Sequence, residues 1–262
     1  VYKKNYRPRF LLPAVFASVL FIAAASGCDE KSFGPQPDDR QMEQGQGLLP
    51  PPPDEPTLAV GDLNMPMPVP SGFKRIPAEH PLMRAAQTGL GNEETILCIF
   101  ERQGENPSAE TGMEGLLRRD LLQVSTLNKW MNASISNTDF SRLKQPWQEE
   151  SIVFNRNTLT FFEDAAMNRL NGQPSFSYNM GMIDSGPLHI SFLKILKYTL
   201  PGDKVIYICR TNSALWRYGK ILNITYNRPI DSFHQIQTVV AESVGYLQKL
   251  QSFGRTPEPA GS

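Results

Sequence analysis

The chain has 262 residues, with 26 Lys and Arg against 26 Asp and Glu and a sequence pI near 7.0. This balance argues against a dedicated nucleic-acid-binding protein, which usually carries a strong basic excess. Three cysteines are too few for a disulfide scaffold, and 22 prolines without a period exclude a collagen-like fibre.

The N-terminal segment has the pattern of an export signal. Four basic residues lie among the first nine positions, and no acidic residue comes before Asp29. Positions 10–27 are almost entirely apolar or small. A basic segment followed by an apolar one is typical of secretory signals, because the charges stay at the inner leaflet while the apolar segment enters the bilayer.

The end of this apolar stretch, Ala25-Ser26-Gly27-Cys28, resembles the lipobox of bacterial lipoprotein signal peptides. The resemblance implies cleavage between Gly27 and Cys28, so that residues 1–27 form the signal peptide. It also implies acylation of the Cys28 thiol with palmitate-type chains, which anchor the mature protein to a membrane. The family prefers Leu at the position of Ala25, although alanine is tolerated there. In enteric lipoproteins an aspartate at the position of Asp29 favours retention at the inner membrane.

Two alternatives to the lipoprotein interpretation stay open. The apolar stretch of 18 residues just reaches the length of a spanning helix, which would make it an uncleaved membrane anchor. An ordinary signal peptidase site near the alanines would instead release a soluble product. All three interpretations place the rest of the chain outside the cytoplasmic membrane.

Residues 28–70 are expected to form a disordered tether. Positions 29–70 hold ten of the 22 prolines and eight acidic residues against two basic ones. Such a segment buries too little apolar surface to offset its conformational entropy. We therefore place a single globular domain at 71–253 and a frayed tail at 254–262.

Period-two patterns predict the strands of this domain. The early strands are expected at 72–76, 95–101 and 121–125, and the later ones at 190–200, 205–209 and 222–226. The segment Pro201-Gly202-Asp203-Lys204 is strong turn chemistry, which predicts a β-hairpin between the first two of the later strands.

Apolar spacings of three and four predict the helices. They are expected at 127–135, at 139–145 and at 159–170. The strongest helix begins at Ser232, where Gln235 three residues later completes a capping box. Its apolar stripe consists of Phe233, Ile236, Val240, Val244, Leu247 and Leu250.

These elements predict an α+β fold, in which helices cover a mostly antiparallel sheet. The domain opens with Val69-Pro70-Ser71-Gly72-Phe73, and the strand 220–226 runs directly into the Ser232 helix. In these two features the sequence resembles the PsbP-like α-β-α sandwich. The resemblance implies a closing helix that lies across the sheet, and it carries over no functional residue.

No compact catalytic or metal motif is found in the sequence. The histidines, His80, His189 and His234, have no partner at ligand spacing, and HExxH, CxxC and GxSxG do not occur. Ser-x-x-Lys occurs three times, which shows how readily this short pattern arises. We therefore expect no metal, no cofactor and no enzymatic activity.

Cys98 and Cys209 each lie in a predicted apolar strand. If these strands pair near register, the two residues would be close enough for a disulfide in an oxidising compartment. The interpretation that we favour is two buried thiols that act as small apolar side chains.

Basic residues dominate the later strands, with one acid, Asp203, among them. On neighbouring hairpins they would form a cationic face for anionic lipid, a cell-wall polymer or an acidic partner. The alternative is a solvated sheet edge. The residues are Lys194, Lys197, Lys204, Arg210, Arg217, Lys220 and Arg228.

The sequence thus predicts a lipid-anchored protein of the bacterial cell envelope, facing the periplasm or the exterior. Its domain is expected to bind an envelope protein or polymer, or to assist assembly, and not to bind nucleic acid. The alternative is an exported enzyme or small-ligand carrier whose site is assembled from residues distant in sequence.

Overall fold

The computed structural model describes residues 56–90, 92–104, 117–151, 153–155, 175–200 and 202–253. The predicted signal segment, the helix expected at 159–170 and the tail at 254–262 lie outside these residues. The strands are β1 (Thr57–Val60), β2 (Leu63–Pro66), β3 (Phe73–Arg75), β4 (Glu94–Arg102), β5 (Leu121–Leu127), β6 (Ser175–Gly186), β7 (His189–Leu200), β8 (Lys204–Arg217) and β9 (Lys220–Ile230). The helices are α1 (Pro81–Leu90), α2 (Asn128–Met131), α3 (Asn137–Glu150) and α4 (Gln235–Ser252).

Seven strands form one sheet in the order β3-β4-β5-β9-β8-β7-β6, and every neighbouring pair is antiparallel. The predicted α+β class is therefore confirmed. The predicted hairpin is also confirmed, because β7 and β8 pair from Leu200 opposite Lys204 to His189 opposite Leu215. Gly202 and Asp203 in its turn both have positive φ, which the residue types at this turn favour.

The two faces of the sheet are named here after the helices that cover them. Residues opposite each other in register share a face, and successive residues alternate between faces. On β5, Leu122 and Val124 lie on the α4 face, whereas Gln123 and Ser125 lie on the α3 face.

The α4 face carries the main apolar core. Val124 and Ile224 are opposite each other on β5 and β9 and are at most 2% exposed. Helix α4 covers them and the neighbouring strands with a buried stripe. The predicted helix is confirmed, but its predicted start at Ser232 is wrong, because it begins at Gln235 and its N-cap, His234, makes no side-chain capping bond. Its stripe is also rotated: Val240 and Val244 are half-buried at its margin. The buried residues of α4 are Ile236, Val239, Ser243, Tyr246, Leu247 and Leu250.

The domain begins earlier than the sequence predicts. Strands β1 and β2 form a hairpin within the segment assigned to the tether, and Leu58 and Met65 are at most 2% exposed in the main core. The hairpin turn needs Gly61, whose φ is 59° and whose Cβ position would overlap the carbonyl of Met131. The proline and acid content of 28–70 concealed these few alternating apolar residues, so the tether boundary at 70 is wrong.

The α3 face carries three smaller apolar clusters. Helix α1 packs on β4 and β5 through Leu82 and Ala86. Helix α3 packs on β7, β8 and β9 through Phe140, which is 1% exposed; Phe140 and the apolar side chains gathered around it are called the α3 cluster. In the third cluster, Leu117 packs on Leu196 of β7 and on Ile206 and Ile208 of β8.

Several further elements differ from the prediction. Helix α1 was not predicted, and β8 continues to Arg217, beyond the predicted 209. Helix α2 ends at Met131, short of the predicted 135. Helix α3 begins at Asn137, capped by Ser136, which accepts from the Asp139 N–H at 3.0 Å, and it continues past Pro146 to Glu150. Strand β6 was not predicted, because its polar and glycine-rich sequence lacks an apolar alternation.

Candidate functional site

The predicted cationic face does not exist as one surface. Lys194, Lys204 and Arg210 lie on the α3 face, whereas the other four residues lie on the α4 face. Four of the seven are buried inside the domain. The buried residues are Lys197, Arg210, Arg217 and Lys220.

Two of these buried cations fasten the N-terminal hairpin. Lys220 Nζ donates to Asp62 Oδ1 at 3.0 Å and to the carbonyls of Met131 and Ala133. Arg217 donates to the carbonyl of Pro66 at 2.9 Å and to that of Phe253 at 2.6 Å. Their charges are therefore engaged in the fold.

Cys98 and Cys209 are free and buried, as the favoured interpretation expected. Strand β4 carries Cys98 and strand β8 carries Cys209, and β5 and β9 separate them. Three strand spacings amount to about 14 Å, beyond the reach of a disulfide. Burial raises the pKa of the Cys98 thiol to about 12, so it stays protonated and unreactive near neutral pH.

The histidines make local structural contacts. His189, on β7, lies with Nε2 at 2.9 Å from Asp184 Oδ2 and with Nδ1 at 2.7 Å from Gln251 Nε2, which links β6, β7 and α4. His80 Nδ1 accepts from the Leu82 N–H at 3.2 Å at the start of α1. Among the described residues, no three His, Cys, Asp or Glu side chains are grouped to hold a metal ion.

A charged cluster that the sequence did not reveal lies on the α4 face. We call it the ion cluster; it consists of Arg102, Asp120, Tyr226, Arg228 and Glu242. Arg102 Nε donates to Asp120 Oδ2 at 2.5 Å, Arg102 also pairs with Glu242, and Tyr226 OH donates to Glu242 Oε2 at 2.7 Å. Arg228 Nε lies 3.7 Å from Asp120 Oδ2.

The ion cluster is a structural device. The Asp120 side chain is 0% exposed, and its burial raises the pKa of the carboxyl against the lowering effect of Arg102. Burial alone would lower the pKa of Arg102, but the hydrogen bonds to Asp120 and Tyr226 raise it. Because two arginines face two carboxylates, the charges balance, and the cluster joins β4 and β9 to α4.

The α3 face carries the candidate functional site. Between its three apolar clusters, the strands present polar side chains where a buried sheet face normally presents apolar ones. We call these residues the polar strip. They are Glu94, Gln123, Ser125, Lys194, Arg210, Asn212, Asn223, Thr225 and Asn227.

Register brings the members of the polar strip together. Gln123 on β5 lies opposite Thr225 on β9, and Thr225 lies opposite Asn212 on β8. The next residue in this row is Phe192 on β7, which packs on the α3 cluster. Gln123 and Thr225 are 4% and 3% exposed, so the polar strip is largely removed from water.

Part of the polar strip is internally bonded. Glu94 Oε1 accepts from Ser125 Oγ and from Asn223 Nδ2, the latter at 3.1 Å. Thr225 Oγ1 donates to Asn212 Oδ1 at 3.2 Å. Burial raises the pKa of the Glu94 carboxyl, against the lowering effect of its two hydrogen bonds.

Other donors beside these bonds have no acceptor. Gln123 Nε2 and Asn212 Nδ2 are buried and unpartnered in the described structure. The indole Nε1 of Trp147, in the adjoining α3 cluster, is buried and unpartnered as well. A buried donor without an acceptor costs about 1–3 kcal/mol, so three in one region call for an explanation.

The cationic end of the polar strip is formed by Lys194 and Arg210, which lie opposite each other on β7 and β8. Arg210 Nε donates to Asn227 Oδ1 at 2.5 Å, and both cations make contacts within the protein. Burial and the neighbouring guanidinium of Arg210 lower the pKa of Lys194. The polar strip therefore combines amides, hydroxyls, one carboxyl and two cations beside an aromatic border.

Comparison with known proteins gives one structural likeness. No protein-family model matches the chain, and no curated protein matches it. The crystal structure of LpqN, described as involved in cell envelope biogenesis of Mycobacterium tuberculosis, is similar with a TM-score of 0.31 and 14% identity. The match covers 69% of this chain and 78% of LpqN. A likeness at this level assigns neither fold nor function to the chain.

Sequence reasoning missed the polar strip because its members come from strands that are distant in the chain. One signal was nevertheless present: Asn212, Asn223 and Thr225 occur at positions where buried strands normally carry apolar residues. Among the described residues, no helix is long and apolar enough to cross a membrane.

Proposed function

We propose that this chain is a lipid-anchored protein of the bacterial cell envelope whose α+β domain acts by binding and not by catalysis. The observation that carries the proposal is Ala25-Ser26-Gly27-Cys28 at the end of a basic and then apolar segment. Acylation of Cys28 would provide the two or three chains that stable anchoring requires.

The early start of the domain sets the reach of the anchor. Because β1 begins at Thr57, about 28 residues separate Cys28 from the folded domain. A fully extended chain of this length spans about 90 Å. This segment is acidic and rich in proline. The domain would thus meet its partner away from the membrane surface.

Metabolic labelling with an alkyne analogue of palmitate tests the proposal. The wild-type chain should carry the label and fractionate with membranes, whereas Cys28→Ala should lose both properties. Cys98→Ala is the matched control, because its thiol is 1% exposed and protonated and should not be acylated. It should therefore keep the label.

Two outcomes would contradict the lipoprotein interpretation. Unlabelled wild-type protein retained in the membrane would support an uncleaved anchor of residues 10–27. Unlabelled protein released into the soluble envelope fraction would support cleavage by an ordinary signal peptidase. N-terminal sequencing of the mature chain separates these two results, since only lipobox cleavage leaves Cys28 first.

The second candidate function is a small-ligand carrier, and the polar strip favours it. Glu94, Gln123, Asn212 and Asn223 are far apart in sequence and lie on one patch of one sheet face. This is the arrangement expected of a site without a local motif. Both candidates share the lipid anchor and differ in what the domain holds.

A further inference from the structure

A cleft opens on the α4 face, where β8 begins, β9 ends and the chain turns into α4. It encloses about 290 Å³ and is lined by Tyr207, Ile230, Asp231, Ser232 and Phe233. Tyr207 and Ile230 lie opposite each other on β8 and β9, and residues 231–234 form the loop between β9 and α4. This volume is at the small end of the range of ligand sites, so the cleft has room for a compact ligand of a few heavy atoms.

Two aromatic rings form walls of the cleft. The rings of Tyr207 and Phe233 stand at 71° to each other, with their centroids 5.6 Å apart. Both are half-buried and pack against the main core. Val205, two residues before Tyr207 on the same face of β8, is 42% exposed and extends the apolar surface. Because the two rings are nearly perpendicular, they bound the cleft on two sides with aromatic surface.

The mouth of the cleft carries a negative charge. Asp231 is exposed, and its carboxylate has no ion-pair partner among the described residues. The backbone at the start of α4 supplies no free donor for an anion, because the N–H groups of Gln235 and Ile236 donate to loop carbonyls at 3.1 Å. The cleft thus presents aromatic walls beside an unpaired carboxylate.

The neighbouring cations do not neutralise this carboxylate. Lys197, opposite Tyr207 on β7, is 5% exposed and interacts within the protein. Arg228, on the same face of β9 as the cleft, donates to Glu242 in the ion cluster. Lys204 lies on the α3 face. The charge left for a ligand at the mouth is therefore that of Asp231.

We infer that this cleft, walled by Tyr207 and Phe233 and beside Asp231, is a binding site for an alkylated ammonium group. The faces of aromatic rings attract cations, and quaternary ammonium groups are recognised in this way. The Asp231 carboxylate adds an opposite charge at the mouth, where an anion would be repelled. A neutral apolar ligand would fill the same space without any gain from the carboxylate. The site does not depend on the lipid anchor.

Choline and its neutral isostere 3,3-dimethyl-1-butanol test the inference, because they share a shape and differ in charge. The full-length protein, purified in a maltoside detergent, would be titrated with each compound while the NMR shifts of its amide groups are followed. Choline should give a saturable shift of residues 205–207 and 230–234, with a Kd of about 1–10 mM. The neutral isostere should bind about fivefold more weakly.

Glycerophosphocholine distinguishes two sources of the same group. It is the soluble head group of phosphatidylcholine, and its phosphate would approach the Asp231 carboxylate. Choline should therefore bind more tightly, which assigns the cleft to a free alkylammonium compound. Tighter binding of glycerophosphocholine would assign it to a lipid head group.

Two variants locate the site, and a third serves as the control. Phe233→Leu removes one ring but keeps an apolar side chain, and it should weaken choline binding about fivefold. Asp231→Asn should weaken choline binding about threefold and leave the affinity for the neutral isostere unchanged. Glu149→Gln removes an exposed acid from α3 and should bind as the wild type does. Circular dichroism checks that each variant is folded.

Three results would overturn the inference. The first is wild-type protein that gives no saturable shift with choline. The second is equal affinity for choline and its neutral isostere, which would make the cleft apolar without preference for a cation. The third is unchanged choline affinity in both folded cleft variants. Cys28→Ala should bind choline as the wild type does, so failure of the lipid anchor and failure of this site are distinguishable.

Discussion

The two faces of the sheet are built from the same strands but follow different rules. On β5, Val124 enters the core under α4 and is 0% exposed, whereas its neighbour Gln123 enters the polar strip and is 4% exposed. The two neighbouring side chains are thus almost equally buried, although one is apolar and the other is a polar amide. The α4 face gains stability from its apolar contacts, while the α3 face retains amides whose hydrogen bonds are incomplete.

The polar groups of the two faces also differ in how completely they are paired. On the α4 face, Arg102 and Arg228 oppose Asp120 and Glu242, so each buried charge has an opposite charge beside it, although Asp120 Oδ1 has no hydrogen-bond partner. On the α3 face, Gln123 and Asn212 end in free donors. The ion pairs of the α4 face join β4 and β9 to α4, whereas the unpartnered amides of the α3 face leave hydrogen-bond donors for a ligand.

The largest expected effect is on the α4 face. Leu247→Ala removes a fully buried side chain of α4 from the main core, and the free energy of unfolding should fall by about 2–5 kcal/mol. Urea denaturation measures this change. Gln248→Ala, at the next and exposed position of the same helix, should change it by less than about 0.5 kcal/mol. Equal effects of both variants would contradict the placement of α4.

The ion cluster should give the next largest effect. Arg102→Ala leaves the buried Asp120 carboxyl without its closest cation, and the free energy of unfolding should fall by about 3 kcal/mol. Arg142→Ala is the matched control, since its pair with Asp139 is exposed and should contribute less than about 1 kcal/mol. If Arg102→Ala were as mild as the control, the cluster would not join α4 to the sheet.

The sequence predicted the parts of the fold that repeat locally. The alternation in 95–101 and 222–226 and the apolar spacing after Ser232 each depend on neighbouring residues, and they correspond to β4, β9 and α4. The capping box predicted at Ser232 does not cap α4, whose N-cap is His234. The hairpin β1–β2 was missed because each strand has only four residues and lies among prolines. Strand β6 was missed because two bulges shift its register with β7, and each shift interrupts the alternation of its side chains between the two faces.

The site could not be predicted in the same way. Which face a basic residue occupies depends on strand register, and that is why the seven cations of the later strands were wrongly joined into one surface. Asn223 acquires its role only beside Glu94, from which it is separated by more than a hundred residues. A polar residue inside an otherwise apolar strand is the one local signal that points to the polar strip.

A smaller effect is expected from the buried carboxyl of the polar strip. Because burial raises the pKa of Glu94 above its ordinary value of 4.5, the folded protein binds this proton more tightly than the unfolded chain does. The contribution of Glu94 to stability should therefore rise as the pH falls through the raised pKa towards 4.5, and it should be lost as the pH rises.

Glu94→Gln tests this sign. Its amide oxygen can accept from Ser125 and Asn223 as the carboxyl does, so the free energy of unfolding at pH 7 should change by less than about 1 kcal/mol or increase. Urea denaturation from pH 7 to pH 5 should show wild-type stability rising relative to that of the variant. A relative fall in this range would mean that Glu94 is stabilised as a carboxylate.

The most direct test of the contrast between the faces is the stability of Gln123→Leu. If Gln123 is reserved for a ligand, replacing its unpartnered amide with an apolar group should leave the free energy of unfolding unchanged or raise it by about 1 kcal/mol. Asn223→Leu is the comparison, because it breaks a hydrogen bond to Glu94 and should lower stability by about 1–2 kcal/mol. A loss of about 2 kcal/mol or more in Gln123→Leu, measured by urea denaturation without ligand, would show that this amide supports the fold and would contradict the account.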